Sequence, residues 1–234
     1  MKSAISHTPR PPATPTQKDV LIVFAKAPVP GHVKTRLTSV LTEEEAARLY
    51  AAFLRDALDQ YTALGMDVRL YWGSPPDAVP DDLAPADVQA FEQQGEGLGA
   101  RMQRAFLETF AAGYERVIII GTDHPTLPSA FIEQAFAALQ EPLAVTIGPS
   151  EDGGYYLLGM NEFYPQLFAD MEYSHADVFR ETLARAGGTS AALTVLPPWY
   201  DVDTPDALRR LRADLEDPDV WAPHTRRVLG EIAD

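Results

Sequence analysis

Cysteine is absent from the 234 residues. That excludes disulfides, thiolate zinc sites, iron–sulfur clusters and cysteine nucleophiles together. Positive charge is scarce, with 19 lysines and arginines against 34 aspartates and glutamates and a formal net charge of −15. Such a surface repels phosphate backbones over most of its area, so no nucleic-acid partner is expected. No apolar run reaches the ~20 residues that cross a bilayer, so no membrane partner is expected either. The five histidines form no HExxH pair, and neither a GxSxG elbow nor a GxxxxGK[ST] loop occurs. Zinc-protease, serine-hydrolase and Walker-type chemistry therefore have no support. Residues 1–18 are rich in Pro, Thr and Ser and lack the apolar core of a signal peptide. They read as a disordered tail before a single domain over 19–234, in a cytoplasmic protein.

What is present is an alternation of buried strands and amphipathic helices. Val20–Ala25 (VLIVFA) and Arg116–Gly121 (RVIIIG) are continuous apolar runs, as strands buried on both faces require. Leu143–Ile147 is a third, and Asp67–Trp72, Val88–Glu92 and Leu193–Leu196 read as further strands. Tyr155–Gly159 reads as extended. Thr42 and Glu45 form a capping box before a helix whose stripe is Leu49, Phe53, Leu54, Leu58 and Tyr61. Gly95, Gly97 and Gly99 open a helix to about Ala112, and Ser129–Leu139 is another. Ser174 with Asp177 is expected to cap a helix ending at Gly187, and Thr204 with Pro205 starts the last. Gly73–Asp87 reads as a surface loop. The pattern predicts an α/β fold with a mainly parallel sheet covered on both faces, with some antiparallel pairing near Tyr155 and Leu193. Ligands of such sheets bind at the carboxyl ends of the strands.

Chemistry-bearing residues gather at those ends. The loop after the first strand, Lys26–Leu41, carries Lys26, Lys34 and Arg36, and no acid occurs from Lys26 to Arg36. It is a positive island in an acidic chain, stiffened by Pro28 and Pro30, with Gly31 allowing close backbone approach. Backbone donors, lysine point charges and a forked arginine suit a pyrophosphate or triphosphate; the alternative is a solvated basic loop. Asp123 in GTDHP follows the central strand and suits a divalent cation carrying phosphates, or else a turn or cap. Asp201 and Asp203 flank Val202, so on an extended piece they point to opposite sides; one can face a metal while the other caps or pairs. Asp152, Gly153 and Gly154 sit after a strand, where they form a hairpin turn, an acceptor or metal contact, or both. Gly95-Glu96-Gly97-Leu98-Gly99-Ala100 matches the dinucleotide fingerprint GxGxxA, but it follows a short polar strand and Glu115 precedes a strand instead of ending one. His124 adjoins Asp123 and either lines the site or, as the default for a histidine, lies at the surface.

The strings FAKAPVPGHVKTRL, GTDHPTLP, GPSEDGGYYLLG and WYDVDTPDAL, in this order, resemble the rSAM/selenodomain-associated transferase family. They resemble more distantly the molybdenum-cofactor and phospholactate guanylyltransferases. The resemblance spans about Val20 to Leu211 and implies a GT-A-like, nucleotide-diphospho-sugar transferase fold, a three-layer α/β/α sandwich. It implies a metal-dependent transferase using a sugar nucleotide or nucleoside triphosphate, with Mg²⁺ or Mn²⁺ as cofactor and a small-molecule acceptor. By the same resemblance Ala25, Lys26, Pro30, Gly31, Lys34, Arg36, Gly95, Leu98, Gly99 and Thr122 bind the nucleotide. Lys26, Lys34, Arg36 and Asp123 are catalytic, and Asp123 and Asp203 hold the metal. Asp152, Gly153, Gly154 and Tyr155 face the acceptor. Glycosyltransferases of this fold often carry DxD, whereas this strand ends TDHP with one aspartate, closer to the nucleotidyltransferases. A nucleotide-binding protein with a vestigial site and a nicotinamide-dependent oxidoreductase are the alternatives.

Overall fold

In a computed structural model of the protein, residues 18–73, 79–80, 83–86 and 88–232 are described. The tail expected over 1–18 thus lies outside them except for Lys18, as does part of the loop expected over 73–87. Seven strands form one sheet: β1 Asp19–Ala25, β2 Asp67–Trp72, β3 Gln89–Glu92, β4 Arg116–Ile120, β5 Ala144–Pro149, β6 Tyr155–Met160 and β7 Ala192–Val195. Their order is β3-β2-β1-β4-β6-β5-β7. Six helices accompany them: α1 Glu43–Ala63, α2 Gly97–Ala111, α3 Ser129–Ala138, α4 Val178–Gly187, α5 Pro205–Asp214 and α6 Pro223–Glu231. The expected elements are present with ends shifted by one or two residues, apart from the start of α4.

The layers follow from the pleat of β1. Alternate residues of a strand face opposite sides. Leu21 and Val23 pack with Leu54 and Leu58 of α1 and Ile132 and Phe136 of α3. Val20 and Ile22 pack with Met102 and Phe106 of α2 and Ala186 of α4. A side chain buried this fully contributes ~1.5–3 kcal/mol relative to exposure. The outer face of α1 is covered in turn. Leu49 and Phe53 meet Leu208 and Leu211 of α5 and Val228 and Leu229 of α6.

β1 pairs in parallel with β2 and β4, and β2 with β3. The crossover through α3 leaves one sheet position vacant between β4 and β5. β6 fills it, antiparallel to both. Only an antiparallel neighbour can be reached by a turn as short as residues 150–154. The antiparallel pairing expected near Tyr155 is therefore present, but that expected near Leu193 is not, because β7 runs parallel to β5.

Two further local expectations are corrected. Asp177 stands at the N-cap position of α4, yet neither it nor Ser174 caps the helix with its side chain. Ser174 instead adopts a left-handed backbone, φ 69°, in the segment ahead of the helix. Helix α6 was not expected. Its first amides, those of His224 and Thr225, donate to the carboxylate of Asp56 on α1 at 2.8 Å each. A cap supplied by another helix leaves no local sequence signature. Thr42 and Thr204 cap α1 and α5 as their sequences predict.

Candidate active site

The carboxyl ends of β1 and β4 open into a cleft of about 810 Å³. Helix α1 fixes its floor. The Tyr50 hydroxyl accepts from the Lys26 amide at 3.0 Å and shares a hydrogen bond with Thr122 Oγ1 at 2.9 Å. One phenol thereby ties the ends of β1 and β4 together. Burial, reinforced by the charge of Asp123, pushes that phenol up to about 12.

Asp123 follows β4, and its carbonyl accepts from the Val202 amide at 2.8 Å. That bond draws the segment 201–203 across the end of β4, with Val202 fully buried. The two flanking aspartates then fall on opposite sides, as alternation requires. Asp203 turns toward the loop after β1, where its Oδ1 lies 2.8 Å from Lys34 Nζ. Asp201 turns toward the β5–β6 turn. It accepts from Ser150 Oγ and stands 3.5 Å from His124 Nδ1. Capping of α5 falls to Thr204, which leaves both carboxylates to the cleft.

Lys34 bridges Asp123 and Asp203. Its Nζ is hydrogen-bonded to an Oδ1 of each, and its side chain is only 2% exposed. Burial opposes the charge, but the two carboxylates outweigh it and hold the ammonium above its ordinary value. The rings of Tyr50 and Phe53 lie 5.7 and 5.3 Å from Nζ, at cation–π distance. Lys34 itself has φ 49° and is buried with Val33 and Leu37, between the exposed His32 and Arg36. For Asp201 burial also opposes charge, but the facing imidazole of His124 and the Ser150 hydroxyl hold its carboxyl below the usual range.

Most of the residues expected at the site line this cleft: Ala25, Lys26, Lys34, Arg36, Leu98, Thr122, Asp123, Asp152, Gly154, Tyr155 and Asp203. Lys26 and Arg36 are exposed there, as phosphate donors need to be. Lys34 is not, because its ammonium is spent on the two carboxylates. Five expected contacts do not line the cleft. Pro30 is exposed outside it. Gly31, at φ 76°, packs against the Glu43 carboxylate, so its lack of a side chain already serves the contact with helix α1. Gly95 backs onto Ala100, Gly99 onto the Tyr173 ring, and Gly153 onto the Ala176 carbonyl. Those glycines are demanded by neighbouring chain. The fingerprint at Gly95–Ala100 follows β3, the edge strand of the sheet, which is the wrong place for a dinucleotide. Sequence reasoning missed Tyr50, Gln93, Ser150 and Tyr173 as lining residues and expected His124 at the surface, where it is buried.

Residues 54–175 match a family described as an uncharacterized protein conserved in bacteria, DUF2064. A crystal structure from Desulfovibrio desulfuricans, of a candidate nucleotide-diphospho-sugar transferase, is 33% identical. It covers 92% of this chain and 95% of its own, with a TM-score of 0.86. The chain belongs to the DUF2064 family. No curated protein matches it in sequence. More distant structures share the fold alone. Rv0371c of Mycobacterium tuberculosis, solved with manganese, is 18% identical over 83% of this chain and 97% of its own, with a TM-score of 0.53. CMP:2-keto-3-deoxy-manno-octonic acid synthetase, solved with CTP, is 13% identical over 86% and 99%, with a TM-score of 0.50. The DUF2064 chain thus has the α/β architecture of nucleotidyltransferase and GT-A-like structures, with a mixed, mostly parallel sheet. Among its described residues no helix is long and apolar enough to cross a membrane.

Proposed function

We propose that this protein is a transferase that holds a nucleotide donor, a nucleoside triphosphate or sugar nucleotide, in the cleft together with Mg²⁺ or Mn²⁺. One observation carries the reading. Asp123 and Asp203, distant in sequence, direct an oxygen each at a single cation, the Lys34 ammonium. Two converging carboxylates, with phosphate and water completing the shell, are a typical Mg²⁺ donor set, so the residues fit the ion. The fold relatives solved with CTP and with manganese support the same reading.

The chain's own residues then divide the work. Lys26 and Arg36 meet phosphate oxygens from the β1 side. Lys34, released from the carboxylates, adds a third positive charge within reach of the same phosphates. Thr122 and the Lys26 backbone are held in place by Tyr50, so that part of the site is preorganised while Lys34 makes way for the ion. The bound ion would neutralise charge on the phosphates. With a triphosphate, an acceptor oxygen bonds to the α-phosphorus as the bond to pyrophosphate breaks. With a sugar nucleotide, it bonds to the anomeric carbon as the bond to the diphosphate breaks.

The test is a melting-temperature panel of nucleoside triphosphates and sugar nucleotides, each with and without Mn²⁺. A ligand that binds only the folded state must raise the melting temperature. At least one nucleotide should stabilise the protein more with Mn²⁺ than without. Asp123→Asn should abolish that increment and lower turnover by ~10²-fold or more. A panel in which no nucleotide shifts the melting temperature would refute the reading.

A further inference from the structure

The two sides of Asp123 differ in charge. On the β1 side the cleft is lined by Lys26, Lys34 and Arg36. On the β5–β6 side, among the described residues, no lysine or arginine lines it. Asp152 and Asp201 do, and Asp201 is largely buried there. The nearby Arg210 is spent elsewhere, paired with Glu151 at 2.8 and 3.0 Å and stacked 3.8 Å over the Tyr200 ring. The same side holds an unfilled hydrogen-bonding group. His124 is 4% exposed and lines the cleft, and neither ring nitrogen has a hydrogen-bond partner. Its Nδ1 stands 3.5 Å from the Asp201 carboxylate, a long contact that orients the ring and leaves Nε2 with no hydrogen-bond partner. Buried polar groups are normally paired, so an imidazole left this way points to a ligand that completes it. Tyr155, Tyr156 and Tyr173 supply aromatic surface around it.

We infer that the acceptor is a polyhydroxyl compound without phosphate or carboxylate, of the sugar or aminosugar class. The inference rests on the donor reading above and specifies its second substrate. An anionic acceptor would meet two carboxylates there and no lysine or arginine among the described residues, with only the imidazoles of His124 and His175 able to take up positive charge, and like-charge contact is among the strongest devices for rejecting a ligand. A neutral polyol donates to Asp201 and His124 through hydroxyls and lays its C–H face on the tyrosines. An amino group would pair with the carboxylates. In the transfer, the acceptor oxygen forms the new bond to phosphorus or anomeric carbon. The donor's bond to its leaving phosphate breaks, and the acceptor's proton passes to that phosphate or to water.

The experiment uses the whole protein with Mn²⁺ and a nucleotide that stabilises it, and follows donor consumption and product mass. Acceptors are offered as matched pairs: glucose and glucose 6-phosphate, glycerol and glycerol 3-phosphate, glucosamine and gluconate. The member without an acid should be used at least ~10-fold faster than its anionic twin. In Asp201→Asn that discrimination should shrink. Equal or faster use of the anionic twins would overturn the inference. So would failure of every non-anionic member while nucleotide and Mn²⁺ still bind. Failure of the donor reading is distinct, since then no nucleotide stabilises the protein at all.

Discussion

The two halves of the cleft are built by different means. The β1 half has backbone bonds within its loop, but it is tied to the end of β4 by side chains: the Tyr50 phenol between Lys26 and Thr122, and a buried lysine between two carboxylates. The β5–β6 half is held by backbone. Ser150 and Gly153 close the turn on Gly154 and Ser150 at 3.0 and 3.1 Å, Glu151 donates to Trp199, and Phe179 donates to Gly153, each at 2.9 Å. An ion-built half can rearrange when another cation arrives, while a backbone-built half keeps its shape. That division suits a site where one side exchanges a cation and the other holds its carboxylates and its shape fixed. It also predicts that removing the buried lysine should change metal binding on the first half, while added bulk should cost most on the second.

Lys34→Met should produce the largest effect, and with two signs. It removes the cation now lodged between Asp123 and Asp203, so their carboxylates repel each other and favour any other positive ion. Mn²⁺ alone should bind ~10-fold tighter than to the parent protein. Nucleotide with Mn²⁺ should bind ~10- to 100-fold weaker, because a phosphate partner is gone. Calorimetry, with and without nucleotide, reads both numbers. If Mn²⁺ affinity falls along with nucleotide affinity, Lys34 is a structural pillar and not an exchangeable cation.

Gly153→Ala and Arg36→Ala form a matched pair across the cleft. An added Cβ at Gly153 would stand 2.0 Å from the Ala176 carbonyl oxygen, at φ 93°. Backbone strain and overlap together should cost ~2–4 kcal/mol, read as a lower urea midpoint, with acceptor use falling further than nucleotide binding. Arg36 is exposed, so its loss should leave the midpoint within ~0.5 kcal/mol and weaken nucleotide binding in a salt-dependent way. A Gly153→Ala protein with full stability would show that the second half is softer than its hydrogen bonds indicate.

The fold was legible because its signals are local: apolar runs for β1, β4 and β5, and capping residues for α1 and α5. Asp123 was placed in the cleft by a local signal, a carboxylate just past the buried strand β4, whereas Asp203 follows the exposed β7 by eight residues and was singled out by the family resemblance. Gly31, Gly95, Gly99 and Gly153 do not line the cleft, and a glycine required by Glu43, Ala100, Tyr173 or Ala176 looks in sequence like one required by a ligand. His124 misled for want of tertiary context. Its burial depends on chain that returns from residues 199–203, some 75 positions later. Tyr50 was hidden in plain view. It is a lone hydroxyl between Leu49 and Phe53 in a helix read for its apolar stripe, and nothing local says that it reaches Lys26 and Thr122.

Tyr50 provides the smallest and most specific test of how the ionic half is anchored. Its phenol is pushed up to about 12 from 10.0, so between those values the folded protein keeps a proton that the unfolded chain has released. Stability tied to that proton is present below about pH 10 and is lost as pH rises toward about 12, at up to ~1.4 kcal/mol per pH unit. Tyr50→Phe gives up the hydrogen bonds to Lys26 and Thr122, so it should be less stable by ~1 kcal/mol at neutral pH. It also has no proton to lose, so its curve should fall less steeply and approach the parent above about pH 10. Urea midpoints measured from about pH 8 to about pH 12 give both curves. Parallel curves would mean that the alkaline loss belongs to other buried phenols, such as Tyr61 and Tyr156, which burial also raises. Converging curves would place it on Tyr50, and thus on the contact that holds the β1 loop against Asp123.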